Sequence, residues 1–234
     1  MMNKTKLFLT YYNKNSAERL IKNRAHIIEI MINCLIQFIN TTDVDNQDNG
    51  LGHFEIISND YYSRLFICQS NKIYSFNIPF KINIEEKNIT ALYSDLKIDS
   101  QILTVLKELI TKNWFSEKST YSDLYDDIEQ FDEVFQTVSQ DYSEEYEKDL
   151  ELEIKDKLVE VCRYLLSYEI GYLRYDNDID GEKKHGKNIH PQHHIDVNYS
   201  RSSSYKLGLN KVFSTYDMNN LLDSKVNCYF LTEI

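Results

Sequence analysis

The sequence predicts an α+β protein with a long N-terminal helix, an antiparallel β-meander, a helical and acidic middle segment, and a C-terminal antiparallel sheet. Three observations carry this prediction: helical periodicity in residues 16–40, β-rich runs in 53–80, and a return to β-rich sequence after Gly171. The chain has 234 residues, of which 42% are hydrophobic and 27% charged, so it can bury a sizeable core. We predict a single domain over 1–234, in which 117–153 forms an acidic insertion or arm.

The N-terminal helix is predicted by its start signal and by its apolar spacing. Asn15 followed by Glu18 resembles a capping box, and apolar residues then recur three or four positions apart as far as Ile39. The most apolar part, residues 27–39, is shorter than the roughly 20 residues that span a membrane, so we expect a buried helix. Residues 41–52 are rich in turn formers and predict a loop.

The rest of the chain alternates between the two kinds of pattern. Three β-rich runs with short polar breaks predict the meander over 53–80. Helical spacing returns at 99–114 and at 144–168. The C-terminal part predicts, in order, strands at 172–176, 193–200 and 205–213, a short helix at 215–224 and a final strand at 226–234.

Charge is distributed unevenly along the chain. The net charge is −11, but residues 117–153 alone hold 14 acidic and 2 basic groups, a net of −12, so the remainder carries +1. Most of these carboxylates must be solvated, because unpaired buried charge is costly. The segment is either a solvated insertion or an arm that docks on a basic partner or shields a basic groove. Basic residues outside it, many of them in 1–24, leave nucleic-acid binding open.

Cysteine usage and the N-terminal sequence indicate a reducing compartment. The cysteines are far apart and form no CxxC pair: Cys34, Cys68, Cys162 and Cys228. The chain opens with no signal-peptide pattern, so we expect a cytoplasmic protein without a membrane partner. Phosphate-loop, dinucleotide-binding, zincin and α/β-hydrolase motifs are absent from the sequence, which argues against those enzyme classes.

The stretch DNDIDG, residues 176–181, resembles the opening of an EF-hand loop. An EF-hand needs a glutamate at position 12 and an apolar residue at position 8, and this chain has Lys187 and Lys183 there. We therefore reject an EF-hand and expect a plain acidic turn balanced by nearby lysines.

The strongest candidate site lies in HPQHHIDVNYS, residues 190–200, which holds three of the six histidines. Pro191 interrupts the chain after His190, and the following residues alternate as those of a strand do. His193 and His194 then point to opposite faces, so we do not expect them to bind one ion together. The face of His194 also carries Asp196 and Asn198.

Two residues of the preceding β-rich run, Arg174 and Asp176, share the parity of this face. If the two strands pair, one surface carries four candidate residues: Arg174, Asp176, His194 and Asp196. Side chains two residues apart on a strand are about 7 Å apart at Cα, so they can converge on an ion or a phosphoryl group. The loop end of this surface carries His185 and His190, and Arg201 and Lys206 lie beyond it.

Residue chemistry assigns the candidate roles. His194 and Asp196 are candidate metal ligands or an acid–base pair, with Asp176 as a further candidate ligand. Arg174 is the candidate phosphate clamp, and His190 is a weaker catalytic candidate, as is His193. The alternative is a polar corner that hydrogen-bonds the loop backbone without catalysis. Whether the protein is an enzyme, and whether a divalent metal takes part, both stay open.

Residues 173–209 resemble an uncharacterised bacterial family with an Arg-Tyr-Asp strand, a variable loop and a His-Pro-x-x-His-x-His/Asp motif. The resemblance covers about the last 60 residues, and its matching positions are Arg174, Asp176, His190, Pro191, His193 and Asp196. Where the family pattern often has a third histidine, this chain has Ile195-Asp196, which argues against a metal site made of histidines alone. The resemblance implies a mobile-element or anti-phage defence context and no particular mechanism.

Three hypotheses follow for function. In the first, the chain belongs to a bacterial anti-phage defence or toxin-type system, and binds or processes a phosphate-containing ligand, such as nucleic acid, through the C-terminal His/Asp/Arg cluster. In the second, it is a non-enzymatic antitoxin, inhibitor or complex subunit whose interface is the acidic segment and a tyrosine-rich surface. The expected partner is another protein of the same operon. In the third, the basic N-terminal helix binds nucleic acid, with an affinity that falls steeply with salt.

Overall fold

A seven-stranded antiparallel sheet organises the fold. The computed structural model describes residues 3–11, 23–40, 47–59, 62–85, 88–94, 96–115, 131–137, 139–140, 152–197, 205–223 and 225–228. Its elements in chain order are β1 (Asn3–Phe8), α1 (Arg24–Asn40), β2 (His53–Ser58), β3 (Ser63–Cys68), β4 (Lys72–Ile78), β5 (Lys81–Glu85), β6 (Asn88–Tyr93), β7 (Leu96–Ile98), α2 (Ser100–Thr111), α3 (Leu152–Ser167), β8 (Leu173–Asn177), α4 (Ile179–His185), β9 (His193–Val197), β10 (Tyr205–Gly208) and α5 (Thr215–Leu222). The predicted α+β class is confirmed.

The meander and the C-terminal strands belong to one sheet. Its spatial order is β1-β2-β3-β4-β8-β9-β10, and every neighbouring pair is antiparallel. The join is the pairing of β4 with β8, which places Tyr74 opposite Arg174. A second sheet of three strands has the order β5-β6-β7. Neither this small sheet nor β1 was predicted from the sequence.

The main core lies between one face of the large sheet and helices α1, α2 and α3. As predicted, α1 is a buried helix: Ile28, Met31 and Ile32 are fully covered. Each such side chain contributes about 1.5–3 kcal/mol through the burial of apolar surface. Helix α2 begins where Asp99 caps it, since the Asp99 carboxylate accepts hydrogen bonds from the first backbone N–H groups of the helix.

One row of cross-strand neighbours changes from apolar to charged as it crosses the large sheet. From β1 to β10 the row consists of Leu7, Phe54, Ile67, Tyr74, Arg174, Asp196 and Lys206. Residues of one row share a face. The face that holds the main core at β1–β4 therefore carries a polar group of side chains at β8–β10. A smaller core on the opposite face includes Tyr175, Ile195 and Met218.

Helix α4 replaces the acidic turn that we predicted for residues 176–181. Asp178 caps this helix, because its carboxylate accepts a hydrogen bond from the backbone N–H of Gly181. Acidic residues lie in its first turn and basic residues in its last, an arrangement that complements the helix dipole. The same aspartates that suggested a turn therefore start a short helix.

Part of the acidic segment packs into the main core. Residues 131–137 are helical, and Phe131, Val134 and Phe135 are buried. Lys155 of α3 forms an ion pair of 2.7 Å with Asp132. Most of the remainder of 117–153 lies outside the described residues, so an insertion or arm there stays a prediction.

Parts of the predicted final strand and of the predicted first helix lie outside the described residues. Of the predicted final strand, residues 226–228 are not in a strand, and 229–234 lie outside the described residues. Residues 16–22 of the predicted first helix also lie outside them. All four cysteines have free thiols. No helix in the described ranges combines the length and apolarity needed to cross a membrane.

Candidate functional site

Strand pairing brings five charged or polar side chains together. In the β8–β9 register, Arg174 lies opposite Asp196 and Asp176 lies opposite His194. Strand β10 adds Lys206, opposite Asp196. We call these five residues the polar cluster. The four residues that share strand parity in the sequence are thus adjacent in the structure, and all four are buried.

Arg174 lies between the two carboxylates of the polar cluster. Its Nε–H donates to Asp176 Oδ2 at 2.8 Å, and its Nη2 group pairs with Asp176 Oδ2 at 2.7 Å and with Asp196 Oδ2. Burial lowers the pKa of Arg174, but the two carboxylates outweigh that effect and raise the pKa above its usual value. Arg174 therefore holds the carboxylates in position, and this geometry does not favour the phosphate-clamp role expected from its residue type.

His194 presents an imidazole lone pair to the polar cluster. Its Nδ1 lies 2.7 Å from the Pro191 carbonyl oxygen, and its Nε2 lies 2.7 Å from Lys206 Nζ. A carbonyl only accepts and an ammonium only donates, so Nδ1 carries the hydrogen and Nε2 carries the lone pair. Histidines that bind metals are commonly oriented in this way, with one nitrogen tied to a backbone carbonyl and the other directed to the ion.

The Lys206 ammonium lies among the candidate ligand atoms. It is 2.7 Å from His194 Nε2 and 3.0 Å from Asp196 Oδ1. One ligand atom each from Asp176, His194 and Asp196 all lie within 4.8 Å of one another. His194 Nε2 is 3.4 Å from Asp176 Oδ2. Ligand atoms around one divalent cation, each about 2.0–2.6 Å from it, have this spacing.

The Asp176 carboxylate retains one unsatisfied oxygen. Asp176 is 4% exposed, and its Oδ1 atom is buried without a hydrogen-bond partner in the described part of the chain. Burial raises the pKa of this carboxyl, but the charges of Arg174 and Lys72 favour its ionised form, and the pKa lies below its usual value. The group is therefore an anion at neutral pH with an unused acceptor, and buried acceptors normally have a partner.

The remaining histidines take different positions. His193 lies on the opposite face, as predicted, where its Nδ1 shares a hydrogen bond of 2.9 Å with the Tyr175 hydroxyl. His190 covers the polar cluster: its ring is 4.7 Å from the ring of His194 in an edge-on contact, and its Nε2 is 2.9 Å from Asp178 Oδ2. His185 lies farther out, against His190. Asn198 and Arg201 lie outside the described residues.

Two residues of β4 border the polar cluster, and sequence reasoning missed both. Lys72 lies opposite Asp176, and Tyr74 lies opposite Arg174. They line a cavity of about 280 Å³ together with Gly50, Leu51, Gln69, Ser70 and Asn71. Alternation alone puts Lys72 and Tyr74 on one face of their strand. The pairing of β4 with β8, about 100 residues away in sequence, is not readable from local pattern.

Comparison with protein-family models, with curated proteins and with solved structures found no match.

Proposed function

We propose that the protein binds a phosphate-containing ligand in the cavity beside the polar cluster, through a divalent cation held by Asp176, His194 and Asp196. One observation carries the proposal: three buried side chains offer ligand atoms within 4.8 Å of one another. The unsatisfied Oδ1 of Asp176 supports the same conclusion. Two carboxylates and one imidazole suit Mg²⁺, Mn²⁺ or Zn²⁺, and three protein ligands leave coordination positions for phosphate oxygens.

Lys206 is the residue that a metal ion would displace. Its side chain is 29% exposed, whereas His194 and Asp196 are buried. A lysine stem is flexible and strongly hydrated at its end, so the ammonium can withdraw to solvent. With Lys206 in place, two carboxylates balance two cations. With a divalent cation in its place, −2 from the carboxylates, +1 from Arg174 and +2 from the metal leave +1, which favours an anionic ligand.

Lys72 is the second cation suited to phosphate. It lines the cavity and forms no ion pair within the described ranges. Because Lys72 lies opposite Asp176 in the β4–β8 register, we place the phosphate of the ligand between the Lys72 ammonium and the metal. In this proposal, Lys72 contacts the phosphate and Arg174 positions the two carboxylates.

The test measures whether ligand binding depends on the metal and on Lys72. Pyrophosphate is titrated into the full chain by calorimetry, with Mn²⁺ and then with EDTA. We expect binding with Mn²⁺, none with EDTA, and about tenfold weaker binding for Lys72→Met. The matched control is Lys97→Met, at an exposed lysine of the small sheet. Pyrophosphate binding that is equal in EDTA and in Mn²⁺ would refute the proposal.

The biological setting we propose is the one that the C-terminal resemblance suggests, a bacterial defence or toxin-type system. Cells that carry the chain with its neighbouring genes are challenged with phage. The His194→Ala variant should lose protection, and His185→Ala should retain it. Equal protection by the two variants would show that the polar cluster is not needed for defence against phage.

A second candidate function is that of a non-enzymatic complex subunit. The observation in its favour is the charge balance of the polar cluster, since Arg174 and Lys206 neutralise Asp176 and Asp196 without any ligand. The acidic segment then supplies the interface with a partner of the same operon. Under this hypothesis, replacing Glu144, Glu145 and Glu147 by glutamine should release a co-purifying partner. Retention of the partner would show that the acidic segment is not the interface.

A further inference from the structure

We infer that the protein has a second ligand site, separate from the polar cluster, that accepts a nucleoside monophosphate. The site is a cavity of about 370 Å³ between the ends of β3 and β4 and the C-terminal end of α3, and we call it the tyrosine cavity. Three tyrosines of the described chain line it: Tyr62, Tyr164 and Tyr168. Its volume lies in the range of small-molecule sites.

Two unsatisfied hydroxyl groups point to a ligand. The hydroxyl oxygens of Tyr62 and Tyr168 are both buried and have no hydrogen-bond partner among the described residues, and Tyr168 as a whole is 5% exposed. Burial raises the pKa of Tyr168 above its usual value, so its hydroxyl keeps its hydrogen and remains a donor. Buried hydroxyls are nearly always paired in proteins. Both donors belong to residues that line one cavity, so we take a ligand in that cavity as the source of their acceptor atoms.

The charges around the tyrosine cavity favour an anion. Arg64, which lies behind the cavity wall, is 4% exposed and donates to Ser75 Oγ at 2.6 Å and to Asn77 Oδ1 at 2.7 Å. It has no carboxylate partner among the described residues, and burial lowers its pKa to about 10, so it remains charged at neutral pH. Among the described lining residues, Lys81 is a cation and Glu169 an anion, so these two together with Arg64 carry one surplus positive charge.

The aromatic lining favours a planar base. The rings of Tyr164 and Tyr168 contact each other with centroids 6.3 Å apart, and both residues line the tyrosine cavity. Tyrosine rings provide stacking surfaces for nucleobases of any sequence. Aromatic surface, hydroxyl donors for base or ribose acceptors, and a net positive charge for a phosphate together match the chemistry of a nucleoside monophosphate.

The tyrosine cavity is separate from the polar cluster along strand β4. Asn77 lines the tyrosine cavity, whereas Lys72 lines the cavity beside the polar cluster. Five residues of β-strand separate them by roughly 17 Å. Because no metal is involved, this inference is tested in EDTA, where the site under Proposed function cannot bind. Failure of one proposal therefore leaves the other intact.

The experiment titrates AMP, GMP, CMP and UMP into the full chain in EDTA, by calorimetry and saturation-transfer NMR. We expect binding of at least one of them. We expect Tyr168→Phe to weaken that binding about tenfold, because only the donor hydroxyl is removed. The same variant should leave the melting temperature of the unliganded protein unchanged or raised, since it deletes an unpaired buried hydroxyl.

The matched control is Tyr172→Phe. Tyr172 is also buried, at 4% exposure, and its hydroxyl also has no partner within the described ranges, but Tyr172 does not line the tyrosine cavity. The Tyr172→Phe variant should bind the nucleotide with the affinity of the wild type. The inference is overturned if none of the four nucleotides binds, if both variants weaken binding equally, or if Tyr168→Phe lowers the melting temperature. It is also overturned if inorganic phosphate binds as tightly as the nucleotides do.

Discussion

Asp196 is the residue on which the polar cluster depends most, because both cations of the cluster contact it. Its Oδ2 pairs with Arg174 and its Oδ1 lies 3.0 Å from Lys206 Nζ, while the residue itself is 1% exposed. Removing one partner from a buried ion pair leaves an uncompensated charge, which costs about 3–5 kcal/mol. We therefore expect Asp196→Asn to lower the free energy of unfolding in urea by about that amount.

The control for this prediction is Asp180→Asn on α4, whose side chain is 91% exposed. It should change the unfolding free energy by less than about 0.5 kcal/mol. Equal effects of the two substitutions would mean that the ion pairs of the polar cluster do not stabilise the fold.

Lys206 distinguishes a metal site from a purely structural network. If its ammonium occupies the place of a divalent cation, Lys206→Met removes a competitor. We expect Mn²⁺ affinity to rise by about tenfold, which corresponds to about 1.4 kcal/mol. The measurement is a Mn²⁺ titration followed by electron paramagnetic resonance. Weaker Mn²⁺ binding by this variant would show that Lys206 does not compete for the site.

At the scale of the element, helix α5 depends on a capping box. Ser214 Oγ accepts a hydrogen bond from the backbone N–H of Asp217, and the Asp217 carboxylate accepts one from the backbone N–H of Ser214. This helix closes the smaller core through Met218. We expect Ser214→Ala to destabilise the protein by about 1 kcal/mol, measured by chemical denaturation. An unchanged midpoint would mean that α5 is not part of the cooperative fold.

Asp217 gives this cap a defined pH dependence. Hydrogen bonds from Lys211 and Ser214 lower its pKa to about 2, below the usual value of about 3.9. A depressed pKa contributes stability that is fully present above the unfolded value and is lost as the pH falls through the folded value. The stability difference between wild type and Asp217→Asn should therefore be constant from pH 5 to 7 and shrink between about pH 4 and 2. A difference that does not change over this range would contradict the assignment.

Local pattern accounts for the elements that the sequence predicted. Strands β2, β3 and β4 follow the predicted meander because alternating residues and short polar breaks lie close together in sequence. Strand parity also placed Arg174, Asp176, His194 and Asp196 on one surface. Local sequence pattern does not predict which strands pair with each other. The β4–β8 pairing, which brings Lys72 and Tyr74 to the site, joins segments about 100 residues apart. The N-cap at Asp178 was likewise not predicted, so the sequence suggested a turn where the structure has helix α4.

At the scale of the whole molecule, the acidic segment is partly structural. Phe131, Val134 and Phe135 are buried in the main core, and each contributes about 1.5–3 kcal/mol. Their sum is comparable with the total stability of a typical domain, about 5–15 kcal/mol. We therefore expect deletion of 117–153 to abolish the cooperative thermal transition. A deletion variant that melts as the wild type does would show that the segment is a detachable arm, as composition alone suggests.

The central claim is that the polar cluster binds a divalent cation, and direct Mn²⁺ binding tests it. Electron paramagnetic resonance counts the bound Mn²⁺ in the wild type, in His194→Ala and in His185→Ala, a histidine outside the polar cluster. We predict one Mn²⁺ per chain in the wild type and in His185→Ala, and loss of that ion in His194→Ala. Equal Mn²⁺ binding by all three proteins, or none by the wild type, would contradict the account.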